Sequence, residues 1–133
     1  MNSRAVLVDS SAWINYWTGK KGGAWESLDK LLQDHRVATN EIIRLEILTG
    51  ARDETQYAGL ADQFEGLHFL TLSGIIWKHA ERLRFDLRHK GCLIPTADAL
   101  IASCAIVHGC ELLHADRHFD QVNRLAPLKI FRP

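Results

Sequence analysis

The stretch RAVLVD, residues 4–9, decides the fold that this sequence predicts. It is short and aliphatic up to its final acid, which is typical of a strand buried on both faces. Strands buried in this way belong to parallel sheets, and parallel strands are joined by helical crossovers. The stretch therefore predicts an α/β protein in which strands and helices alternate.

The alternation continues along all 133 residues. We expect one domain, 1–133, with a three-layer α/β/α arrangement around a mostly parallel sheet of four to five strands. Further strands are predicted at 36–39, 68–72, 111–116 and 128–131. Helices are predicted after the caps Ser10-Ser11, Asn40 and Ser73, from about Glu54 to Phe64, and from Pro95-Thr96, with glycines as breaks or stops at 19–23, 50, 91 and 109.

The charge balance limits the kind of nucleic-acid contact. Lys plus Arg and Asp plus Glu both number 16, so the formal net charge is zero. A protein that holds nucleic acid mainly by neutralising phosphates is usually basic. Contact with nucleic acid is therefore expected to be local, brief or mediated by cations, which leaves an enzyme open.

The cysteines and the hydropathy pattern predict a cytoplasmic protein. Cys92, Cys104 and Cys110 are odd in number and have no zinc-site spacing, so reduced thiols are expected. No secretory signal and no apolar run of membrane-spanning length is present in the sequence.

Two acids follow predicted strands. Asp9 ends the first strand and Asp116 ends the penultimate one. Ligands of open α/β sheets bind at the carboxyl ends of strands, near the point where strand order reverses. Each acid alone is equally consistent with a helix cap or a turn.

Two further acids lie on predicted helices. Helical periodicity places Glu46 on the apolar stripe of Ile43 and Ile47. It groups Asp98 with Ile101, in the first turn of its helix. A charge that faces the interior needs a partner or a metal. A buried ion pair is the alternative, and its candidate cations are Arg44, Arg82, Arg84 and Arg88.

Four such acids in one small chain favour a metal site. Clustered carboxylates repel one another, and divalent cations relieve that repulsion. Ligation by oxygen alone favours Mg²⁺ or Mn²⁺ over zinc. One or two such ions activate water and orient a phosphodiester, so phosphodiester hydrolysis is the expected chemistry.

The chain resembles the PIN-domain family, specifically the VapC-type ribonuclease toxins of bacterial toxin–antitoxin pairs. Four stretches carry the resemblance in family order: VDSSAWI at 8–14, EILTG at 46–50, IPTADALIA at 94–102 and LHADRHF at 113–119. Each stretch is weak alone, and together they span nearly the whole chain.

The resemblance implies metal-binding and catalytic roles for Asp9, Glu46, Asp98 and Asp116. It implies a Mg²⁺- or Mn²⁺-dependent endoribonuclease, often acting on structured RNA such as transfer RNA. Such toxins usually form homodimers. A small antitoxin usually inhibits them by covering the active site, often with an arginine near the acids. Surface tryptophans are candidates for such contacts, although core packing is their ordinary use: Trp13, Trp17 and Trp25.

Three positions qualify the match. Ser10 is the small hydroxyl residue that usually follows the first acid, and it places a ligand or caps a helix. His114 stands where the family often has threonine. His118 replaces a further acid found in many members, which puts a second metal in doubt. We expect His118 to lie in solvent rather than against phosphate. Basic candidates for phosphate contacts, each equally consistent with a surface charge, are Arg44, Arg52, Arg88, His89 and Arg117.

Two other functions compete with the ribonuclease. A phosphatase with Asp9 as nucleophile generally has a second carboxylate two residues later, and Ser11 occupies that position. A catalytically weak PIN-like module would act mainly by binding an antitoxin or by forming a regulatory complex on DNA. Cleavage of RNA by the purified protein separates these possibilities.

Overall fold

Four short strands form one parallel sheet. The computed structural model describes residues 4–19 and 23–132, apart from the side chains of residues 23–25. Its strands are β1 (Val6–Val8), β2 (Val37–Thr39), β3 (His68–Phe69) and β4 (Glu111–Leu113). The sheet order is β3-β2-β1-β4, and every pair is parallel. The predicted α/β/α architecture is therefore confirmed.

Helices occupy the connections in the predicted order. They are α1 (Ser10–Trp17), α2 (Gly23–Gln33), α3 (Glu41–Thr49), α4 (Glu54–Glu65), α5 (Gly74–His89), α6 (Thr96–His108) and α7 (Arg117–Leu125). The predicted break at 19–23 lies between α1 and α2, and its residues 20–22 are outside the described ranges. None of the helices within the described ranges is long and apolar enough to cross a membrane.

Four local predictions were wrong. The strand predicted at 111–116 ends at Leu113, and Asp116 instead caps α7. The cap of α1 is Asp9 rather than Ser10 or Ser11, because the Asp9 carboxylate accepts the Ser11 N–H. The strand predicted at 68–72 ends at Phe69, since the Leu72 N–H donates to the side chain of Glu41 instead of a neighbouring strand. The strand predicted at 128–131 is reduced to one bridge, Leu112 to Ile130.

The sheet order fixes where a ligand site is expected. From β1 the chain steps to β2 and β3 in one direction, and it then returns to place β4 on the other side of β1. Right-handed crossovers therefore put α1–α4 on one face of the sheet and α5–α6 on the other. The reversal lies between β1 and β4, so the crevice of this fold opens at their carboxyl ends.

The core beneath that crevice is rigid. All three residues of β1 are buried, and the largest fully buried side chains include Trp13, Phe64 and Phe119. The Trp13 ring lies 4.9 Å from that of Phe64, which ties α1 to α4. Interiors packed in this way resist compression, so they hold the strand ends in place.

Candidate active site

Asp9 is the most deeply placed of the predicted acids. It is 4% exposed, directly after β1, and its N–H donates to Leu113 O of β4 at 2.9 Å. Its Oδ2 accepts the Ser11 N–H at 3.0 Å, as the cap of α1, and also accepts the Ser11 hydroxyl. Strand end and helix start thus fix the same carboxylate.

Ser11 joins the segments that follow β1 and β4 at the site. While its hydroxyl donates to Asp9, its Oγ accepts the Ala115 N–H at 3.0 Å, just beyond β4. No specific signal in the sequence indicates this role, because a serine after a strand is more often a helix cap. The contact makes Ser11 a positioning residue for Asp9.

Replacing Ser11 by Ala should lower the free energy of unfolding by about 1 kcal/mol, because the Ala115 N–H loses its partner. It should also weaken Mn²⁺ binding about 10-fold, as outer-shell partners of a metal ligand commonly do. Urea denaturation and calorimetric titration measure the two effects. Ser73→Ala is the control, since the Ser73 hydroxyl makes no capping bond. Unchanged Mn²⁺ affinity in Ser11→Ala would contradict this role.

Asp116 is oriented by the start of α7 and by His114. Its Oδ1 accepts the His118 N–H at 2.9 Å, and its own N–H donates to His114 Nδ1 at 3.0 Å. The His114 side chain is almost fully buried, and its Nε2 lies 3.4 Å from Asp120 Oδ1. His114 therefore fixes the loop that carries Asp116.

Asp98 and His118 meet Asp116 at the same point. His118 Nδ1 lies 3.0 Å from Asp98 Oδ2 and 3.2 Å from Asp116 Oδ1. These three side chains offer ligand atoms that all lie within 4.8 Å of one another. The prediction that His118 lies in solvent was therefore wrong, because the ring reaches back over the start of α7 to two acids.

Glu46 lies at the rim of the crevice. It is exposed, whereas Ile43 and Ile47 are buried, so the prediction that it faces the core was wrong. Three helical steps of 100° place residue 46 about 60° to one side of Ile43, on the flank of the apolar stripe. Ser10 Oγ donates to Glu46 Oε1 at 2.8 Å. Ser10 is thus a partner of an acid rather than a cap.

Electrostatics link all four acids. Burial first, and then the charges of Asp9 and Asp116, raise the pKa of Asp98 to about 6 against the lowering effect of His118. Although Glu46 lies at the exposed rim, partial loss of solvent around its carboxylate raises its pKa, and the charge of Asp9 adds to that rise against the hydrogen bond from Ser10. Asp9 therefore acts on both helical acids. The four carboxylates share one field, although Glu46 is joined to the others through Asp9 rather than by direct contact.

The alternative of buried ion pairs is not what the structure has. Arg44 pairs with Glu65 at 3.0 Å, Arg82 pairs with Asp86 at 3.1 Å, and Arg84 Nε donates to a backbone carbonyl. Among residues 4–19 and 23–132, no lysine or arginine lies within ion-pair distance of Glu46 or Asp98. Repulsion among carboxylates that no lysine or arginine in the described ranges neutralises suits a divalent cation, so the donor set fits the expected metal.

Comparison with known proteins shows which family this chain matches. The family model described as the PIN domain matches residues 6–125. The VapC ribonuclease Mb1587 of Mycobacterium bovis is 32% identical over 128 residues, which covers 93% of this chain and 96% of the relative. Ribonuclease VapC18 of Mycobacterium tuberculosis is 29% identical over 119 residues, with 86% and 85% covered.

Solved structures show the same fold at lower identity. VapBC2 from Rickettsia felis, bound to a DNA fragment from its promoter, gives a TM-score of 0.77 at 21% identity over 96% of this chain and 97% of that chain. VapBC-1 from nontypeable Haemophilus influenzae gives 0.78 at 19% identity, with 96% and 97% covered.

Proposed function

Because this chain belongs to the PIN-domain family, we propose that it is a metal-dependent endoribonuclease and the toxin of a VapBC-type toxin–antitoxin pair. One observation carries the proposal. Asp98, Asp116 and His118 converge beside Asp9 at the crevice where strand order reverses. A cluster of acids at that place suits a phosphodiester brought in with divalent cations.

The residues that would hold the cation are Asp9, Glu46, Asp98 and Asp116. Mg²⁺ or Mn²⁺ fits their oxygen donors. When bound, the ion supplies Lewis acidity toward the phosphodiester and lowers the pKa of water. One ion is the minimum that this site needs, and His118 in place of a further acid argues for one rather than two.

The chain's own residues prepare the site. Ser11 turns the Asp9 carboxylate toward the crevice, and His114 does the same for the segment that carries Asp116. Glu46 is exposed at the rim, so its carboxylate can meet an incoming RNA strand or its attendant water. Since the net charge is zero, cations at this site provide the attraction for RNA that a basic surface would otherwise provide.

Metal removal tests the proposal. The purified protein should cleave structured RNA, with transfer RNA as the first substrate, in the presence of Mg²⁺ or Mn²⁺. Cleavage should stop in EDTA and return when either ion is added back, and Asp9→Asn should remain inactive throughout. Cleavage that persists in EDTA would contradict the proposal. Release of phosphate from small phosphoesters, with a phosphorylated Asp9 in the mass spectrum, would instead support a phosphatase.

An antitoxin is the expected protein partner. A cavity of about 350 Å³ adjoins Glu46 between α1, α3 and α4. Its remaining lining is mainly apolar: Ile14, Trp17, Ile47, Gly50, Gln56 and Leu60. We refer to this cavity as the rim groove. A peptide with apolar side chains and one basic residue matches it, because the apolar wall is contiguous with an acid.

A homodimer is also part of the proposal. Helix α5 exposes Ile75, Trp77 and Phe85, and a second cavity beside it carries both Glu81 and Arg88. A twofold interface places the same patch on both partners, so a patch with both charges can complement itself.

The cysteines support a cytoplasmic site of action. Cys92, Cys104 and Cys110 are all free, as is usual for proteins of that reducing compartment.

A further inference from the structure

We propose that His118 supplies a nitrogen ligand to the cation, so that this site binds Mn²⁺ in preference to Mg²⁺. The inference rests on the proposed metal site and goes beyond it, because it adds a donor of a different kind to the four acids. It also gives a role to the residue that departs from the pattern common in the family.

The spacing of the donor atoms supports direct ligation. His118 Nδ1 lies 3.0 Å and 3.2 Å from one oxygen each of Asp98 and Asp116. Adjacent ligands of an octahedral ion with bonds of about 2.1 Å stand about 3 Å apart. The nitrogen thus already has the separation from both acids that two neighbouring ligands require.

The ring is held there by the fold. Asp116 caps α7, and the His118 N–H donates to its Oδ1 at 2.9 Å. The next residue, Phe119, is fully buried and anchors the first turn of the helix. The His118 side chain remains 37% exposed, so the ring is both fixed and reachable from the crevice.

The nitrogen donor of His118 decides which of the two ions, Mn²⁺ or Mg²⁺, the site binds more tightly. Mg²⁺ is a hard ion that is bound by oxygen and keeps much of its water. Imidazole is a ligand typical of transition-metal ions, and Mn²⁺ is the transition-metal ion that shares with Mg²⁺ a preference for carboxylates. A set made of carboxylates and one imidazole therefore favours Mn²⁺, whereas an acid at position 118 would favour Mg²⁺.

The competing role for His118 is that of a positive counter-charge to Asp98 and Asp116. A protonated ring between two carboxylates would act as a counter-charge and would be displaced when a cation binds. The nitrogen would then never contact the ion. Direct observation of a bond between nitrogen and the metal separates the two roles.

Binding of the simple salts is the first test. Calorimetric titration with MnCl₂ and with MgCl₂, without RNA, should show Mn²⁺ bound at least about 10-fold more tightly by the wild type. His118→Asp should reduce that ratio about 10-fold by strengthening Mg²⁺ binding and weakening Mn²⁺ binding. His89→Gln is the matched control, since His89 is exposed and its Nδ1 faces a carbonyl of its own helix. An unchanged ratio in His118→Asp would overturn the inference.

Pulsed electron paramagnetic resonance of the Mn²⁺ complex is the second test. Coupling to a directly bonded ¹⁴N is expected in the wild type and in His89→Gln, and it should disappear in His118→Gln. Mn²⁺ bound without ¹⁴N coupling in the wild type, or with coupling that survives in His118→Gln, would overturn the inference and leave the ribonuclease proposal standing. Failure of the wild type to bind either ion would overturn both.

Discussion

Replacing Asp98 by Asn should reduce RNA cleavage at least about 100-fold, because loss of a metal ligand exceeds the 10- to 100-fold effects of outer-shell changes. Asp98 is nearly isosteric with Asn, lies in the first turn of α6 and is mostly buried beside Asp116 and His118. The substitution removes charge and leaves the packing of the helix in place. Cleavage of transfer RNA at saturating Mg²⁺ or Mn²⁺ measures the loss.

The same variant should be more stable than the wild type when no metal is present. The folded-state pKa of Asp98 is raised to about 6, first by burial and then by the neighbouring acids. An ionised Asp98 therefore costs folding free energy at neutral pH, on the order of 1–2 kcal/mol. Asn carries no such cost, so melting in EDTA near pH 7 should occur at a higher temperature in Asp98→Asn.

The difference in stability between Asp98→Asn and the wild type should depend on pH. A carboxyl group whose folded pKa is raised destabilises the protein above that pKa, and the penalty fades as the pH falls from about 6 toward the unfolded value of about 4. The difference in melting temperature should therefore shrink over that interval. Asp62→Asn, an exposed acid on α4, serves as control and should change neither cleavage nor the melting temperature. Equal stability of Asp98→Asn and wild type at pH 7 would contradict the conclusion that burial and the neighbouring acids make an ionised Asp98 unfavourable.

Replacing Trp17 by Ala should weaken binding of the cognate antitoxin about 30-fold or more, the scale of a buried aromatic anchor at an interface. Trp17 is 41% exposed in the rim groove, and its ring is stacked on that of Trp13 at 5.2 Å. Since Trp13 is fully buried, the exposed ring is pre-organised for contact. The variant should still cleave RNA but should escape inhibition by the antitoxin.

Trp77→Ala is the matched control for that experiment. Trp77 is 48% exposed on α5, outside the rim groove, so its loss should leave antitoxin affinity unchanged. Its expected effect is on the oligomeric state, measured by sedimentation. Titration with the product of the neighbouring reading frame gives the affinities. Equal weakening by both variants would contradict the rim groove as the antitoxin site.

The side chain of Trp25, which was also predicted as a candidate for such contacts, is outside those that the structure describes.

The sheet and its crevice were predictable because a buried parallel strand has a strong local signal. The aliphatic run before Asp9 and the run before Asp116 both end in acids, and ligands of open α/β sheets bind at the carboxyl ends of strands. The strand order was not predicted, and it came from the structure. Strand lengths were not predictable in the same way. The run after His68 alternates as a strand does, yet Leu72 finds its partner in the side chain of Glu41.

The surroundings of the acids were less predictable, because they depend on contacts between distant segments. Periodicity alone could not tell the flank of a stripe from its centre, which is why Glu46 was expected in the core. Ser11 and Ala115 are 104 residues apart in sequence, and nothing local indicates their hydrogen bond. His118 follows Asp116 by two residues, but its contact with Asp98 depends on the packing of α7 on α6.

The capping bonds of Asp9 and Asp116 also limit how the cation can be held. One oxygen of Asp9 is engaged by Ser11, and one oxygen of Asp116 is engaged by the His118 N–H. The Asp116 oxygen that accepts this cap bond is also the one that lies 3.2 Å from His118 Nδ1, so it would have to serve both the helix and the proposed cation. Each of the two acids would then be expected to offer the cation one oxygen. An ion that prefers about six ligands would then have positions left for water and for phosphate oxygens of the RNA. The ion should exchange readily and should be held most firmly when the RNA completes its coordination.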